Sequence, residues 1–129
     1  MTFLKPHSAL ILSVFRIVVG AAFLQHGTSK YLSLPPTKMS GIDPFSMGGV
    51  AGMIELVCGA LIVLGLLTRP AAFLASGTMA AAYFIAHFPQ NFYPILNGGE
   101  LALVYCFAFL YISAAGPGPV SLDRMLGRA

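Results

Sequence analysis

Charge is scarce in this chain. Its 129 residues include seven Lys and Arg and four Asp and Glu, 9% of the whole, where a water-soluble domain carries roughly a quarter. The net charge of +3 reflects missing acids. No Lys/Arg cluster could track a phosphate backbone, which excludes a nucleic-acid partner. Tryptophan is absent, so interfacial anchoring falls to Phe and Tyr. There are two cysteines, Cys58 and Cys106, with neither a CxxC nor metal-ligand spacing, and no metal site is expected. They read either as small buried hydrophobes or as a thiol pair doing redox work within the membrane. No removable signal peptide is expected. The first apolar run holds an Arg at its centre and lacks a small-x-small cleavage site.

What is abundant is apolar surface. Hydrophobic residues make up 57% of the chain and its mean hydropathy is +0.84. A helix needs about 20 residues to cross a hydrocarbon core. Four segments approach that length: 8–25, 48–67, 71–87 and 99–115. The expected fold is therefore all-α, an integral membrane four-helix transmembrane bundle, with residues 1–129 as one domain and the lipid bilayer as its surroundings. Gly27 is expected to close the first span. Thr68-Arg69-Pro70 makes a tight turn, with Thr68 or Arg69 near the N-cap and Pro70 in the first helical turn. The loop Phe88 to Gly98 carries Phe92, Tyr93 and Pro94 without a charge, which fits an aromatic loop at headgroup level. Gly116 to Pro119 stops the last span.

Four spans put both termini on one side, with Lys5, Arg69, Arg124 and Arg128. The other side has Lys30 and Lys38. That bias places both termini in the cytoplasm and the first and third loops outside.

Against this background three charges stand out within or beside apolar runs: Arg16, Glu55 and Glu100. Intramembrane charge is costly, so such groups face a bundle interior and pair. Residues three, four or seven apart share a helix face. Arg16, Gly20, Phe23, Gly27 and Lys30 form one stripe. Gly48, Gly52, Glu55 and Gly59 form a small-residue stripe of the kind that lets helices approach in lipid. On the third span Ser76, Ala80, Tyr83 and His87 align, and on the fourth Glu100, Leu103, Phe107 and Tyr111. At 1.5 Å rise per residue, Arg16 lies ~15 Å below the outer boundary, Glu55 ~10 Å and Glu100 only about 3 Å. Arg16, snorkelling outward, is expected to pair with Glu55, with Glu100 or Tyr83 as a further acceptor. His26, Lys30 and His87 belong near the same outer mouth.

Two readings of the charges stay open. One is a buried salt bridge that fixes helix register. The other is an outward-open polar pocket that binds a small head group or relays protons. In that pocket Arg16 and Glu55 would be catalytic, and His26, Lys30, Tyr83, His87, Glu100 and Phe107 would bind the ligand.

The ordered set of motifs resembles the DoxX family of small membrane proteins. Arg16-Ile-Val-Val-Gly20 and His26-Gly27-x-x-Lys30 are similar to its opening. Glu55-Leu-Val-Cys-Gly59 and Gly65-Leu-Leu-Thr-Arg69 are similar to its second helix and turn. His87, the aromatic loop, Gly98-Gly99-Glu100, Gly116-Pro117-Gly118 and Ser121-Leu122-Asp123 complete the likeness. It implies a multi-pass protein of the bacterial cytoplasmic (inner) membrane. Some relatives are linked to quinone-coupled sulfur oxidation as subunits of thiosulfate:quinone oxidoreductase, others to redox homeostasis. Many relatives have no assigned activity, and the family does not settle this chain's. With polar groups of both signs converging in an apolar bundle, the expectation is a redox-associated subunit, quinone- or thiol-linked. With no large soluble region and no covalent cofactor, it needs a diffusible quinone or a partner subunit. A non-catalytic scaffold and a homo-oligomeric small-molecule transporter are the alternatives.

Overall fold

Backbone groups in lipid have no water to bond, so a chain this apolar must satisfy them within helices. The computed structural model describes residues 2–128 and is all-helical, with no strand among those residues. A 3₁₀ segment, Thr2–His7, leads into α1, Ser8–Leu32. Then come α2 (Met47–Leu64), α3 (Thr68–Ala82), a one-turn α4 (Pro94–Asn97), α5 (Glu100–Ala115) and a short α6 (Leu122–Met125). The α3 helix runs on through a π turn, Tyr83–His87, and a 3₁₀ turn, Phe88–Gln90. Three helical stretches are long and apolar enough to cross a membrane: Thr2–Leu32, Met47–Leu64 and Thr68–Gln90. The fourth, α5, is apolar but has 16 residues.

The bundle buries a few polar and charged groups within an apolar core and turns aliphatic side chains outward. Ser13, Arg16, Glu55, Ser76 and Asn97 are buried, while Val14, Val18, Val57, Phe73, Leu101 and Val104 face outward. Small residues bring the helices together. α1 packs on α2 and α3 on α5, with α2 against α3 joining the pairs. Gly27 does not close the first span. It is buried mid-helix, and a Cβ there would lie 2.5 Å from the Leu56 amide nitrogen and 2.9 Å from the Gly52 carbonyl oxygen. Gly59 meets Leu24 Cα in the same way, at 2.8 Å. These glycines are contact points between backbones, and α1 continues beyond Gly27 to Leu32.

Arg16 explains the terminal end of the bundle, where both chain ends lie. Its Nε donates to the Ile62 carbonyl at 2.9 Å. Its two terminal nitrogens donate to Pro117 and Val63 and, at 2.8 Å, to Val120. Ile62 and Val63 belong to the last turn of α2, whose carbonyls lack intrahelical partners. Pro117 and Val120 lie in the non-helical stretch after α5, which folds back against α1. Ser13 donates to the Pro117 carbonyl and accepts from the Val120 amide. Irregular backbone is tolerated at membrane depth only where protein satisfies it. Here one buried guanidinium does so, and the short α5 is compensated by this returning segment.

Asp123, in the same tail, caps α3 from outside that helix. Its two carboxylate oxygens accept from the Leu67 and Thr68 amides, both at 2.9 Å. Leu67 itself is the N-cap position, with φ 49°, and makes no side-chain cap. Neither Thr68 nor Arg69 serves that role. Arg69 instead donates to the Ser113 and Ala114 carbonyls at the end of α5.

Two outcomes follow for stability. Arg16→Met is expected to lower the unfolding free energy by about 3 kcal/mol, since it orphans several buried carbonyls, each worth roughly 1–3 kcal/mol. Arg16→Lys recovers only part of that, because an ammonium lacks the planar fork. Denaturation in mixed micelles measures both. Burial alone would raise the Asp123 pKa, but the Thr68 and Leu67 amides and the positive charge of Arg128 outweigh it and hold the carboxyl below its ordinary value. Its stabilisation is therefore complete above the usual carboxylate pKa of about 3.9 and is lost as pH falls through the depressed folded value. Melting temperature followed downward from pH 6 shows this loss, and Asp123→Asn removes that part of the slope.

Candidate functional site

Lipid gives α1 and α2 a reason to hide charge in the half of the bundle opposite the termini, the loop end. There Lys30 Nζ meets Glu55 Oε1 at 2.7 Å, with both side chains about nine-tenths buried. The same nitrogen donates to the Gly48 carbonyl at 3.1 Å. Helix geometry makes the contact possible. A Cβ on Gly52 would sit 2.7 Å from Lys30 Cδ, so only glycine lets the lysine stem lie across α2 and reach one turn on. Tyr31 braces the crossing by donating to the Gly49 carbonyl at 2.5 Å.

The expected Arg16–Glu55 pair does not form. Ile62, which Arg16 grips, lies two turns of α2 from Glu55, about 10 Å along the axis. Between the two levels sits an aromatic plug: Phe23 packs on Phe109 and Tyr105 with ring centroids 4.7 and 5.5 Å apart. Arg16 points to the terminal end, and its donors are engaged by backbone. Lys30 takes the place at Glu55 that the spacing had suggested for Arg16.

A cleft of about 560 Å³ opens between α2 and α3 at this level. Lys30, Glu55, Thr78 and His87 provide its polar side chains, and its walls include Val50, Ile54, Met79 and Ile85. Val50 and Ile85 are more than half exposed on the outer face of the bundle, so the cleft opens sideways toward lipid. Behind it lies a smaller chamber of about 260 Å³ that shares Glu55, Met79, Ala82 and His87 and adds His26, Ala102 and Tyr105.

The π turn shapes this site. It carries Tyr83 and His87 at its two ends, and such turns recur at functional positions. His87 Nδ1 lies 3.1 Å from the Asn97 carbonyl. A carbonyl only accepts, so Nδ1 carries a proton, and in the neutral tautomer this selects, the lone pair lies on Nε2. Asn97 in turn donates to the Tyr83 hydroxyl at 3.2 Å and accepts from the Gly99 amide at 2.8 Å. Tyr83 is thus buried as a support for His87 and lines neither cavity. The His87 Cβ and the Tyr83 ring pack close over Gly99, where an added Cβ would come within 2.8 Å of both.

Two further residues expected at the mouth lie elsewhere. Glu100, in the first turn of α5, is exposed and makes no ion pair among the described residues. Phe107 is 62% exposed on the lipid side. The inward face of α5 is Ala102, Tyr105, Phe109 and Ile112, not the Glu100–Leu103–Phe107–Tyr111 face. Every position of α5 outside its first turn is apolar, aromatic or small, so hydropathy carries no phase there. Sequence spacing also missed Tyr105 and Asn97, whose roles depend on tertiary placement. Cys58 is buried in α2 and Cys106 half-buried in α5, both as free thiols. Cys106 borders the Ser76 hydroxyl at 3.6 Å.

Removing one member of a buried pair strands the other, at a typical cost of 3–5 kcal/mol, whereas replacing both by apolar or neutral groups costs less. Lys30→Met is accordingly expected to destabilise by about 3 kcal/mol, and Lys30→Met combined with Glu55→Gln by clearly less than the sum of the singles. A double-mutant cycle in micelles reads this out, and additive singles would mean that the pair is not coupled.

Comparison with known proteins agrees with the architecture. The family model DoxX matches residues 11–88. An uncharacterized protein of Haemophilus influenzae is 44% identical over 96% of this chain and 96% of its own length. An uncharacterized membrane protein of Mycobacterium tuberculosis is 29% identical over 88% of this chain and 79% of its own. No solved structure matches. The matched stretch holds Arg16, the small-residue contacts between α1 and α2, the Lys30–Glu55 pair and the π turn with His87, and on that match this multi-pass membrane protein belongs to the DoxX family.

Proposed function

We propose that the chain binds a quinone head group in the cleft between α2 and α3 and serves a redox partner in the bacterial cytoplasmic membrane. The observation that carries this reading is a buried ion pair beside a free imidazole lone pair at the floor of an apolar cleft open to lipid. That is the polarity profile of a quinone, with a flat head bearing two oxygens and an isoprenoid tail in hydrocarbon. Lys30 supplies a donor for a carbonyl oxygen. His87 Nε2 supplies an acceptor for a hydroxyl of the reduced form. Small and flexible side chains, Ala82 and Met79, leave space for the ring.

Reduction of quinone to quinol takes two electrons and two protons. A pair of thiols on a partner subunit can supply both as it closes to a disulfide, and the half-reactions then balance. Glu55 and His87 would hold and pass the protons at the two quinone oxygens. Arg16 has no part in this step. The charge bias puts both termini in the cytoplasm and the loop end outside.

The test is titration of the purified protein in lipid nanodiscs with a short-chain ubiquinone analogue, read by quenching of Tyr emission. Saturable binding is expected. Lys30→Met with Glu55→Gln should weaken it at least about tenfold, equivalent to ~1.4 kcal/mol, while Arg69→Gln at the far end leaves it unchanged. Linear, unsaturable partitioning in the parent protein would refute the reading.

A further inference from the structure

The cleft does not use everything around Glu55. The smaller chamber behind it has His26 and Tyr105 in its wall, and neither touches the lipid-facing cleft. A third hollow of about 250 Å³ lies toward the loop end, lined by Gln25, His26, Ser29, Lys30 and Thr37 with two further side chains. His26 is the residue shared by the second chamber and this hollow, and it is half-buried between them. Glu55 is shared by the second chamber and the cleft. Polar groups thus connect the cleft, Glu55, the chamber, His26 and the hollow, and the hollow also meets the cleft at Lys30 and Met39.

We propose that this series is an aqueous proton route, with His26 as its relay, linking Glu55 to water at the loop end by a path separate from the ligand's lipid-side entry. It rests on the quinone reading for the purpose of the protons but not for the existence of the route. The chemistry suits the task. An imidazole takes a proton on one nitrogen and releases it from the other near neutral pH. The chamber's walls are mostly apolar, but Glu55, His26, His87 and Tyr105 give waters in it the two or more polar partners each needs. Around Glu55 the titratable neighbours are Lys30 and His26 from α1, His87 from the π turn and Tyr105 from α5. No second carboxylate lines either cavity. Glu55 is then the group that a proton entering from His26 reaches on its way to the cleft. The Phe23–Tyr105–Phe109 plug stands between the chamber and the terminal end.

The experiment places a single thiol in the second chamber. In a Cys58→Ala, Cys106→Ala background, Ala102→Cys and, separately, Met79→Cys are treated in proteoliposomes with a charged, membrane-impermeant methanethiosulfonate. The reagent needs thiolate, which forms in water and not in lipid. Both thiols should react from the loop-end face, and a lipid-facing Val104→Cys should not. Adding His26→Phe should slow the reaction at least tenfold. In the same variant, infrared detection of the Glu55 carboxyl after a pH jump should show protonation slowed by a similar factor, with His26→Gln intermediate. Unreactive thiols at both positions, or rates that His26→Phe leaves unchanged, would overturn the route. Quinone titration of the same samples keeps the two ideas apart. Labelling without quinone binding defeats the quinone reading alone, and quinone binding without labelling defeats the route alone.

Discussion

One constraint organises the molecule: a carbonyl at membrane depth must find a donor in the protein. α5 is only 16 residues long, about 24 Å at 1.5 Å per residue, against a hydrocarbon core of about 30 Å. The chain after it returns into the terminal end as irregular backbone, and the last turn of α2 leaves its own carbonyls open beside it. Arg16 answers both demands from a third helix. Its charge also complements the negative ends of α2 and α5. An apolar residue in its place would leave the returning segment nowhere to fold. This is why a cation sits in the first apolar run, and it needs no ligand to explain it.

The same constraint, applied at the other end, gives a different result. Lys30 spends one hydrogen bond on a backbone carbonyl and one on Glu55. Lysine carries a compact charge on a flexible stem, so its contact with a carboxylate is easier to exchange than the planar grip of arginine. Glycine spacing decides where each cation can act. Gly20, near Ile62 and Val63, brings α2 within reach of Arg16, and Gly52 clears the path of Lys30. The aromatic plug keeps the two levels apart. One level fastens the bundle, and the other sets an ion pair into the wall of a cleft.

Much of this can be read from residue order. The Arg16–Gly20–Phe23–Gly27–Lys30 stripe does face the interior, as does the Gly52–Glu55–Gly59 stripe, because small and charged residues stand out against aliphatic neighbours. The helices fall close to the expected spans for the same reason. Partner choice is harder. Spacing places Arg16 and Glu55 on inward faces but does not say that the tail from Gly116 to Asp123 re-enters and claims the guanidinium. Gly27 looks like a stop because glycine serves both as terminator and as contact point, and only the neighbour distinguishes the two. The face of α5 is invisible to periodicity, since nearly every position there is apolar. The π turn at Tyr83–His87 has no sequence signal, though it decides where His87 points its free nitrogen.

The charge balance of the loop-end site narrows what it can hold. Lys30 and Glu55 neutralise one another, and the Asn97 carbonyl holds His87 with Nδ1 as its donor. An anion or cation entering the cleft would bring an unmatched charge into a low-dielectric space, at a cost of several kcal/mol. A neutral molecule with hydrogen-bonding oxygens meets no such penalty and can draw on Lys30 as donor and His87 as acceptor at once. Its apolar remainder can stay in the lipid from which the cleft opens. On the proposed reading, these conditions favour a quinone over a charged sulfur species at this position. They also make proton supply the problem that the site must solve, because a neutral ligand that gains two electrons in an apolar cleft becomes anionic unless protons arrive with them. Glu55 stands where that demand arises, with the cleft on one side and the His26 chamber on the other.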